Sequence, residues 1–371
     1  MRLMLAVAFG LFMLGAVVPA LAEHANALDL RVDSLPRSAL LSEPATLLVD
    51  PARQSAATRR AHWTVFGFVL TQLFETAALL YLWSSGGAAA LRDSLRRRFG
   101  SELKVRFIFG AALALVARLA AFVPSFYLYR VDRTLDLTVE LTRWWALYWA
   151  FHTIIAMIVA GLIAAIVLWL VSRTHQWYAY AIVGVLAASV AWSYLSLDLP
   201  SSDSHVVRAH NGGTARLSRE FVQGRTPSEL EYEAAAAAYV ARNDQLSIAL
   251  IEGGIIIVFA AIAVVIADRV GFRRDDDSLS RLAIVGALLA LVYLAAVPVR
   301  NAVLRSYDFD ADGYAVALTG HPAAAVRALV RDADRRMVEV CPELTALLFL
   351  YTAPGIGARV AAINHVRSGC P

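Results

Sequence analysis

Four ionisable residues lie inside apolar stretches of this chain, where a charge is costly unless it meets a partner or a wet cavity. They are Glu75, Arg118, His152 and Glu252. Their placement predicts a polar chamber or pathway inside a membrane. The alternative is pairing between helices, such as Glu75 with Arg118, or a long side chain that reaches the membrane surface from a helix end.

A second region with residues capable of chemistry is the segment 306–322, which reads SYDFDADGYAVALTGHP. Integral-membrane zinc metallopeptidases of the CAAX prenyl protease 1 type carry a similar segment after their last span, of the form S-R-x-x-E-x-E-A-D-x-x-A-x-x-L-T-G-x-P. The chain resembles this family most strongly here and more weakly over most of residues 60–370. The matching positions are Ala311, Asp312, Ala315, Leu318, Thr319, Gly320 and Pro322.

The resemblance implies a zinc site whose main ligands this chain lacks. Such a site uses H-E-x-x-H, with two imidazoles on one helix face, a Glu that activates the metal-bound water, and a third ligand from a distant segment. No H-E-x-x-H occurs in the sequence. Residues 226–231 (TPSELE) resemble the start of the family's site helix, and they predict a capping box between Thr226 and Glu229.

This alignment assigns the family's functional positions to other residue types. The two histidine ligands fall on Ala234 and Ala238, and the general base falls near Ala235. Alignment on the helix start moves the motif slightly and still meets Ala and Tyr. The third ligand falls on Asp308, one methylene shorter than the usual Glu. The family's downstream His corresponds to Ala353, and two further motif residues are retained, Asp312 and Arg359.

By resemblance the chain is expected to be a degenerate member of this proteolytic family, a catalytically inactive pseudoenzyme with a binding or regulatory role. One alternative is an active membrane zinc metalloendopeptidase with a divergent site, in which His205, His210 and His321 could join Asp308. The other is a transporter or channel-like protein that uses the four intramembrane ionisable residues. No cofactor is expected unless the divergent site holds zinc, and whether the chain is an enzyme stays open.

The composition indicates the class of protein in which these residues act. Of 371 residues, 59% are hydrophobic and 17% are charged, with a mean hydropathy of +0.58. Soluble domains carry about 25% charged residues. The composition excludes a disordered or disulfide-framework protein and disfavours a water-soluble enzyme. The net charge of +4 fits the basic loops of a membrane protein better than nucleic-acid binding.

Hydropathy predicts an all-α polytopic membrane helix bundle with a small extracytosolic helical lobe. Residues 1–22 are typical of a signal peptide or signal anchor, because Arg2 precedes an apolar run that ends in Ala20-Leu21-Ala22. An extracytosolic N-terminal segment follows over 23–61. Six apolar stretches are long enough to cross about 30 Å of hydrocarbon, near 62–85, 106–129, 146–171, 177–197, 246–267 and 281–299.

Basic residues in the loops predict the orientation of these spans. The loops after the first and fifth spans carry clusters of Arg, including Arg96, Arg97, Arg98, Arg269, Arg273 and Arg274. Such clusters favour the cytosolic face of a cytoplasmic (inner) membrane. Parity then places the degenerate site segment, 200–245, and the peptidase-like tail, 300–371, together on the extracytosolic side. A four-span region, 62–199, and a two-span hairpin, 246–299, carry them.

The partners predicted for such a chain are the lipid bilayer and a membrane protein or peptide, and not nucleic acid. The two cysteines, Cys341 and Cys370, both lie in the tail. They could pair if the tail is extracytosolic, but spacing in the sequence leaves this open.

Overall fold

The computed structural model describes residues 30–135, 137, 141–174, 176–198, 204–208, 214–218, 225–271 and 278–370. The predicted signal peptide over 1–22 lies outside the described residues, as does His210. The described residues form a bundle of long helices that carries a smaller helical lobe at one end.

Among the described residues, five helices are long and apolar enough to cross a membrane, which confirms the predicted all-α membrane bundle. Three of them are simple helices, α4 (Pro51–Ser84), α6 (Glu102–Thr134) and α7 (Thr142–Arg173). The fourth is continuous over Pro227–Arg269. It joins α9 (Pro227–Tyr239) through a π-helical turn (Val240–Asp244) to α10 (Gln245–Gly271), and the fifth is α11 (Ser278–Thr319).

The predicted span 177–197 corresponds to a shorter helix, α8 (Trp177–Asp198), which is apolar over Trp177–Ala191. Its 22 residues reach about 33 Å at 1.5 Å per residue, enough for about 30 Å of hydrocarbon. α8 packs on α10 where small residues permit close approach. A Cβ at Gly253 would lie 3.0 Å from a methyl of Leu186. The bundle therefore has five long apolar helices and one shorter one among the described residues.

The lobe is built from short helices at both ends of the described chain. From the N-terminal side come α1 (Arg31–Ser34), α2 (Arg37–Ser42) and α3 (Ala45–Leu48). From the tail come α12 (Pro322–Arg336), α13 (Leu344–Phe349) and α14 (Ile356–Asn364). Their apolar faces form one core, which includes Val32, Leu40, Leu48, Val326, Val330, Val340 and Val360. The lobe predicted from the sequence, over 200–245 and 300–371, thus did not include the N-terminal helices that form part of its core.

Two long helices run from the bundle into the lobe without a break. The 42 residues of α11 extend about 63 Å at 1.5 Å per residue, twice the thickness of the hydrocarbon. The predicted last span, near 281–299, is the apolar part of this helix, and polar residues continue the helix to Thr319. The predicted boundary at 245 likewise lies inside the continuous helix Pro227–Arg269.

The described residues also include two β-strands, which form an antiparallel hairpin. β1 (Ser204–Arg208) pairs with β2 (Thr214–Ser218), and Val206 lies opposite Arg216. The second strand, β2, precedes α9 in the chain. It also contacts α9, so it lies at the lobe end.

A disulfide joins Cys341 to Cys370, with a Cα–Cα distance of 5.4 Å. It ties the end of the chain to the loop between α12 and α13. The backbone passes closely here, because a Cβ on Gly357 would lie 2.6 Å from the Cys370 sulfur. The pairing that the sequence left open is thus present in the structure.

The end of the bundle away from the lobe carries the basic helix α5 (Gly87–Arg98). It begins after Gly86, whose φ of +76° suits glycine. Ala88 and Leu95 pack with Leu279 and other apolar residues of the bundle. The Arg cluster of this helix therefore lies at the opposite end from the disulfide.

Candidate functional site

Ala234 and Ala235, to which the resemblance assigns a zinc ligand and the general base, form part of a packed core. Ala234 and Ala235 are 0% and 1% exposed. They pack in one cluster with alanines of the two neighbouring helices, Ala315 of α11 and Ala325 and Ala328 of α12. Because these side chains are single methyl groups, the three helices approach closely. Larger side chains would have to displace backbone or neighbours, which costs about 1–3 kcal/mol in a packed core.

The helix that carries these alanines is fixed at its start by the predicted capping box. The Thr226 hydroxyl accepts from the Glu229 backbone N–H, and the Thr226 N–H donates to the Glu229 carboxylate at 2.9 Å. Glu229 is fully buried and pairs with Arg331 of α12 at 3.2 Å. Arg331 also pairs with Asp33 at 2.6 Å. One guanidinium thus connects α9, α12 and α1.

The retained motif residues Asp312 and Arg359 bind each other. The Nε and Nη2 atoms of Arg359 donate to the two carboxylate oxygens of Asp312, each at 2.7 Å. The Tyr232 hydroxyl donates to the same carboxylate at 2.6 Å. Bidentate, charge-assisted bonds of this kind are the strongest hydrogen bonds in proteins. They connect α9, α11 and α14 at a carboxylate that is 2% exposed.

The protonation of this cluster follows from its burial. Burial raises the pKa of Tyr232 far above its usual range, and the Asp312 carboxylate raises it further. The pKa of Arg359 is also raised, because the bonds to Asp312 outweigh the cost of burial. Tyr232 therefore stays a neutral donor and Arg359 a cation across the physiological range. Asp312 has three donors on its two oxygens and acts as a structural carboxylate.

Asp308 lies one helical turn before Asp312 on α11, on the same side of the helix. Its carboxyl is half-buried, and burial raises its pKa while the Arg359 guanidinium lowers it. The helix α9 runs beside this part of α11, since the rings of Tyr239 and Tyr314 are 4.9 Å apart. The structure thus brings the segment with Ala234, Ala235 and Ala238 onto the helix that carries Asp308.

Asp308 does not complete a cluster of metal ligands in the described part of the chain. Within it, no group of three or more His, Cys, Asp or Glu side chains could hold a metal ion. Ala353, at the family's downstream His position, lies in the turn before α14. The side chains of His205 and His210 lie outside the described residues.

A second acidic group borders the cluster. Glu233 pairs with Arg225 at 3.4 Å, and Arg225 also pairs with Asp332 of α12. Burial raises the pKa of Glu233 to about 7, and the Asp332 carboxylate adds to the shift while Arg225 opposes it. This group therefore titrates near neutral pH.

The intramembrane residues lead to a different place, a cavity of about 780 Å³ between α4, α6, α10 and α11. Glu75 and Glu252 both line it, as do Gln72 and Arg300. Glu252 is paired with Arg300, whose Nε lies 2.8 Å from its carboxylate. Of the four residues from which a polar chamber was predicted, Glu75 and Glu252 line this cavity. Arg300, the partner of Glu252, lies just past the predicted span and was missed.

The other two intramembrane residues are placed differently. Arg118 interacts electrostatically with Glu75, and its guanidinium lies 5.7 Å from the centre of the Trp149 ring. His152 Nδ1 lies 2.8 Å from the Tyr148 carbonyl, one turn earlier on its own helix. Neither is among the residues that line the cavity. His152 is therefore accounted for by local bonding.

Tyr232 was also missed by sequence reasoning, although it binds Asp312 directly. The one signal was its position, two residues before Ala234, to which the resemblance assigns the first histidine.

No protein-family model matches the chain, and a search of curated proteins finds no significant relative. Function is therefore inferred from the sequence pattern and from the contacts described above.

Proposed function

We propose that the chain is a membrane protein of the CAAX prenyl protease 1-like type that has lost catalysis and serves a binding or regulatory role. The observation that carries the proposal is the alanine cluster. The positions that would hold zinc and the base are Ala234, Ala235 and Ala238, of which the first two are fully buried against other alanines. A methyl group can neither bind a metal nor accept a proton.

The residues that remain support a scaffold role. A catalytic zinc site needs three protein ligands and an open position for water. Asp308 could supply one ligand. Asp312 and Arg359, the other retained motif residues, are held by each other and by Tyr232. Such a lobe is suited to presenting a surface to a membrane protein or peptide rather than to hydrolysing one.

For the orientation, we propose that the lobe faces the extracytosolic side of a cytoplasmic membrane. Disulfides persist in oxidising compartments, and Cys341 and Cys370 form one in the lobe. The basic helix α5 lies at the other end of the bundle, where the positive-inside rule expects the cytosol. The two features agree on the same orientation.

A peptidase assay tests the loss of catalysis. Full-length protein in micelles is incubated with zinc and an internally quenched peptide library. We expect no cleavage that a chelator suppresses. Chelator-sensitive cleavage that is abolished by Asp308→Asn and preserved in Asp310→Asn, an exposed neighbour on the same helix, would establish the alternative of an active, divergent metallopeptidase.

A transporter or channel-like function is the second candidate, and the cavity favours it. Polar residues line both of its ends, with Glu75 in the bundle and the Glu252–Arg300 pair near the lobe. Solute flux in proteoliposomes tests this candidate. Flux that is lost in Glu252→Gln would support it, and the absence of flux for ions and small polar solutes would count against it.

A further inference from the structure

We propose that the cavity between α4, α6, α10 and α11 is a binding site for a drug-sized hydrophobic cation, with Glu75 as its counter-ion. The proposal extends the second candidate function by naming a ligand class, and it does not depend on whether the lobe is a peptidase. Pockets for small ligands measure about 300–1,000 Å³ and are mostly apolar, with a few polar groups that fix orientation. At about 780 Å³, this cavity lies within that range.

The two ends of the cavity lie at different depths. Contacts between the antiparallel helices set the level, because the Thr76 hydroxyl donates to the Ala287 carbonyl at 3.3 Å. Glu75 precedes Thr76 in α4, so it lies at about the same depth as Ala287 of α11. Arg300 lies about 20 Å further along that helix at 1.5 Å per residue. With one leaflet of hydrocarbon about 15 Å thick, the cavity runs from near the lobe to the middle of the bilayer.

The walls between these ends are apolar and aromatic. They include Ile255, Ile256, Phe259, Leu289, Ala290 and Tyr293. Such walls disfavour a hydrated inorganic ion, because it would lose its water without gaining ligands. They favour an organic ion with a large apolar surface. Phe259 and Tyr293 also offer ring faces that attract a cation.

The charges of the lining determine the sign of that ligand. Two carboxylates and one guanidinium line the cavity, and the guanidinium of Arg300 is bound to Glu252. The second carboxylate, Glu75, lines the deep end, and its electrostatic partner Arg118 is not a lining residue. Glu75 is thus the carboxylate of the lining that no lining cation binds. Gln72, one turn away on α4, adds an amide oxygen on the same face.

Tetraphenylphosphonium and tetraphenylborate provide a matched pair of probes, since they share a shape and differ in the sign of charge. Equilibrium binding to the full-length protein in micelles should be saturable for the phosphonium and not for the borate. Glu75→Gln should weaken phosphonium binding at least tenfold. Ala290→Trp, which fills the cavity, should do the same without changing a charge.

Two controls keep the test decisive. His152→Gln changes an ionisable residue of the same bundle outside the cavity and should bind the phosphonium like the wild type. Glu75→Asp retains the charge and should keep most of the affinity, which separates loss of charge from misfolding. Equal saturable binding of both probes, or undiminished affinity in Glu75→Gln, would overturn the proposal. Flux measurements are separate, because a site can bind the cation without transporting it.

Discussion

A single carboxylate, Asp312, holds three elements of the lobe together. Its partners are the Tyr232 hydroxyl and the Arg359 guanidinium, and all three groups are largely withdrawn from water. Removing one member of a buried ion pair is more damaging than removing both, because the remaining charge loses its compensation. The family resemblance identified the Asp and the Arg, but the pairing between them appears only in three dimensions.

The first prediction concerns this cluster. Arg359→Met leaves Asp312 buried without its cation and should destabilise the protein by about 3–5 kcal/mol. Tyr232→Phe removes one hydrogen bond and should cost about 1–2 kcal/mol. Thermal unfolding of the full-length protein measures both. Arg367→Met, an exposed arginine of the same tail, is the matched control and should leave the midpoint unchanged. Equal effects of Arg359→Met and Arg367→Met would contradict the structural role.

Asp334 gives the lobe a second, pH-dependent property. Its carboxylate is fully buried and accepts from the Asp50 backbone N–H at 3.3 Å, and Gln54 donates to it as well. Burial outweighs these bonds and raises its pKa from 3.8 to about 6. Because the folded pKa lies above the unfolded one, the folded state binds the proton more tightly. The stabilisation is complete below about pH 4 and is lost as the pH rises through 6.

The second prediction concerns how the stability of the protein depends on pH. Lowering the pH from about 7 to about 5 should raise the unfolding midpoint, with a contribution on the order of 1 kcal/mol from Asp334, and the full difference of about 3 kcal/mol is reached only below about pH 4. Asp334→Asn should flatten the profile between about pH 4 and 6, leaving the part due to Glu233, whose pKa is about 7. Midpoints across the pH range test this, with Asp310→Asn as the exposed control. If acidification lowers the unfolding midpoint of the wild type but not that of Asp334→Asn, the prediction is wrong.

At the scale of elements, helix α11 links the cavity to the lobe. Arg300 lies at the mouth of the cavity and Asp312 lies in the lobe cluster, on one uninterrupted helix. Hydropathy predicted the apolar part of this helix correctly and stopped where charged residues begin. Helix continuation depends on backbone bonding and on packing against α9, and neither requires apolar sequence. Hydropathy therefore did not predict where this helix ends beyond its apolar part, although the sequence did predict the capping box at Thr226.

The disulfide is the element-scale feature with the clearest energetic consequence. The bond between Cys341 and Cys370 closes a loop of 29 residues. Loop-closure entropy predicts a stabilisation of about 3.5 kcal/mol for a loop of this length. The sequence offered the two cysteines but not their proximity, which depends on how the last residues fold back beside Gly357.

The third prediction uses this bond. Cys341→Ser/Cys370→Ser should lower the unfolding midpoint, and reducing the wild-type protein should lower it to the same level. Thiol labelling provides the companion measurement, since the wild type should react with maleimide after denaturation and reduction but not after denaturation alone. Free thiols in unreduced, denatured protein isolated from membranes would contradict both the bond and the proposed extracytosolic lobe.

At the scale of the whole molecule, composition and hydropathy were sufficient for the architecture. The surplus of apolar residues predicted the bundle, and five long apolar helices confirm the class. The lobe was predicted incompletely, because the short helices over 30–50 carry too few residues to show a clear period. Their role is visible only in the core that they share with α12 and α14. A polar chamber was predicted from four ionisable residues, of which Glu75 and Glu252 line the cavity, whereas its shape depends on the packing of four helices.

The lost zinc site is the central claim about the molecule, and metal content tests it most directly. Full-length protein purified with zinc present, then desalted, is assayed by inductively coupled plasma mass spectrometry beside Asp308→Ala. Because the resemblance assigns the motif's first ligand and its base to Ala234 and Ala235, whose buried methyl groups bind no metal, zinc should be well below one per chain and unchanged by Asp308→Ala. About one zinc per chain, lost in Asp308→Ala, would contradict the proposal.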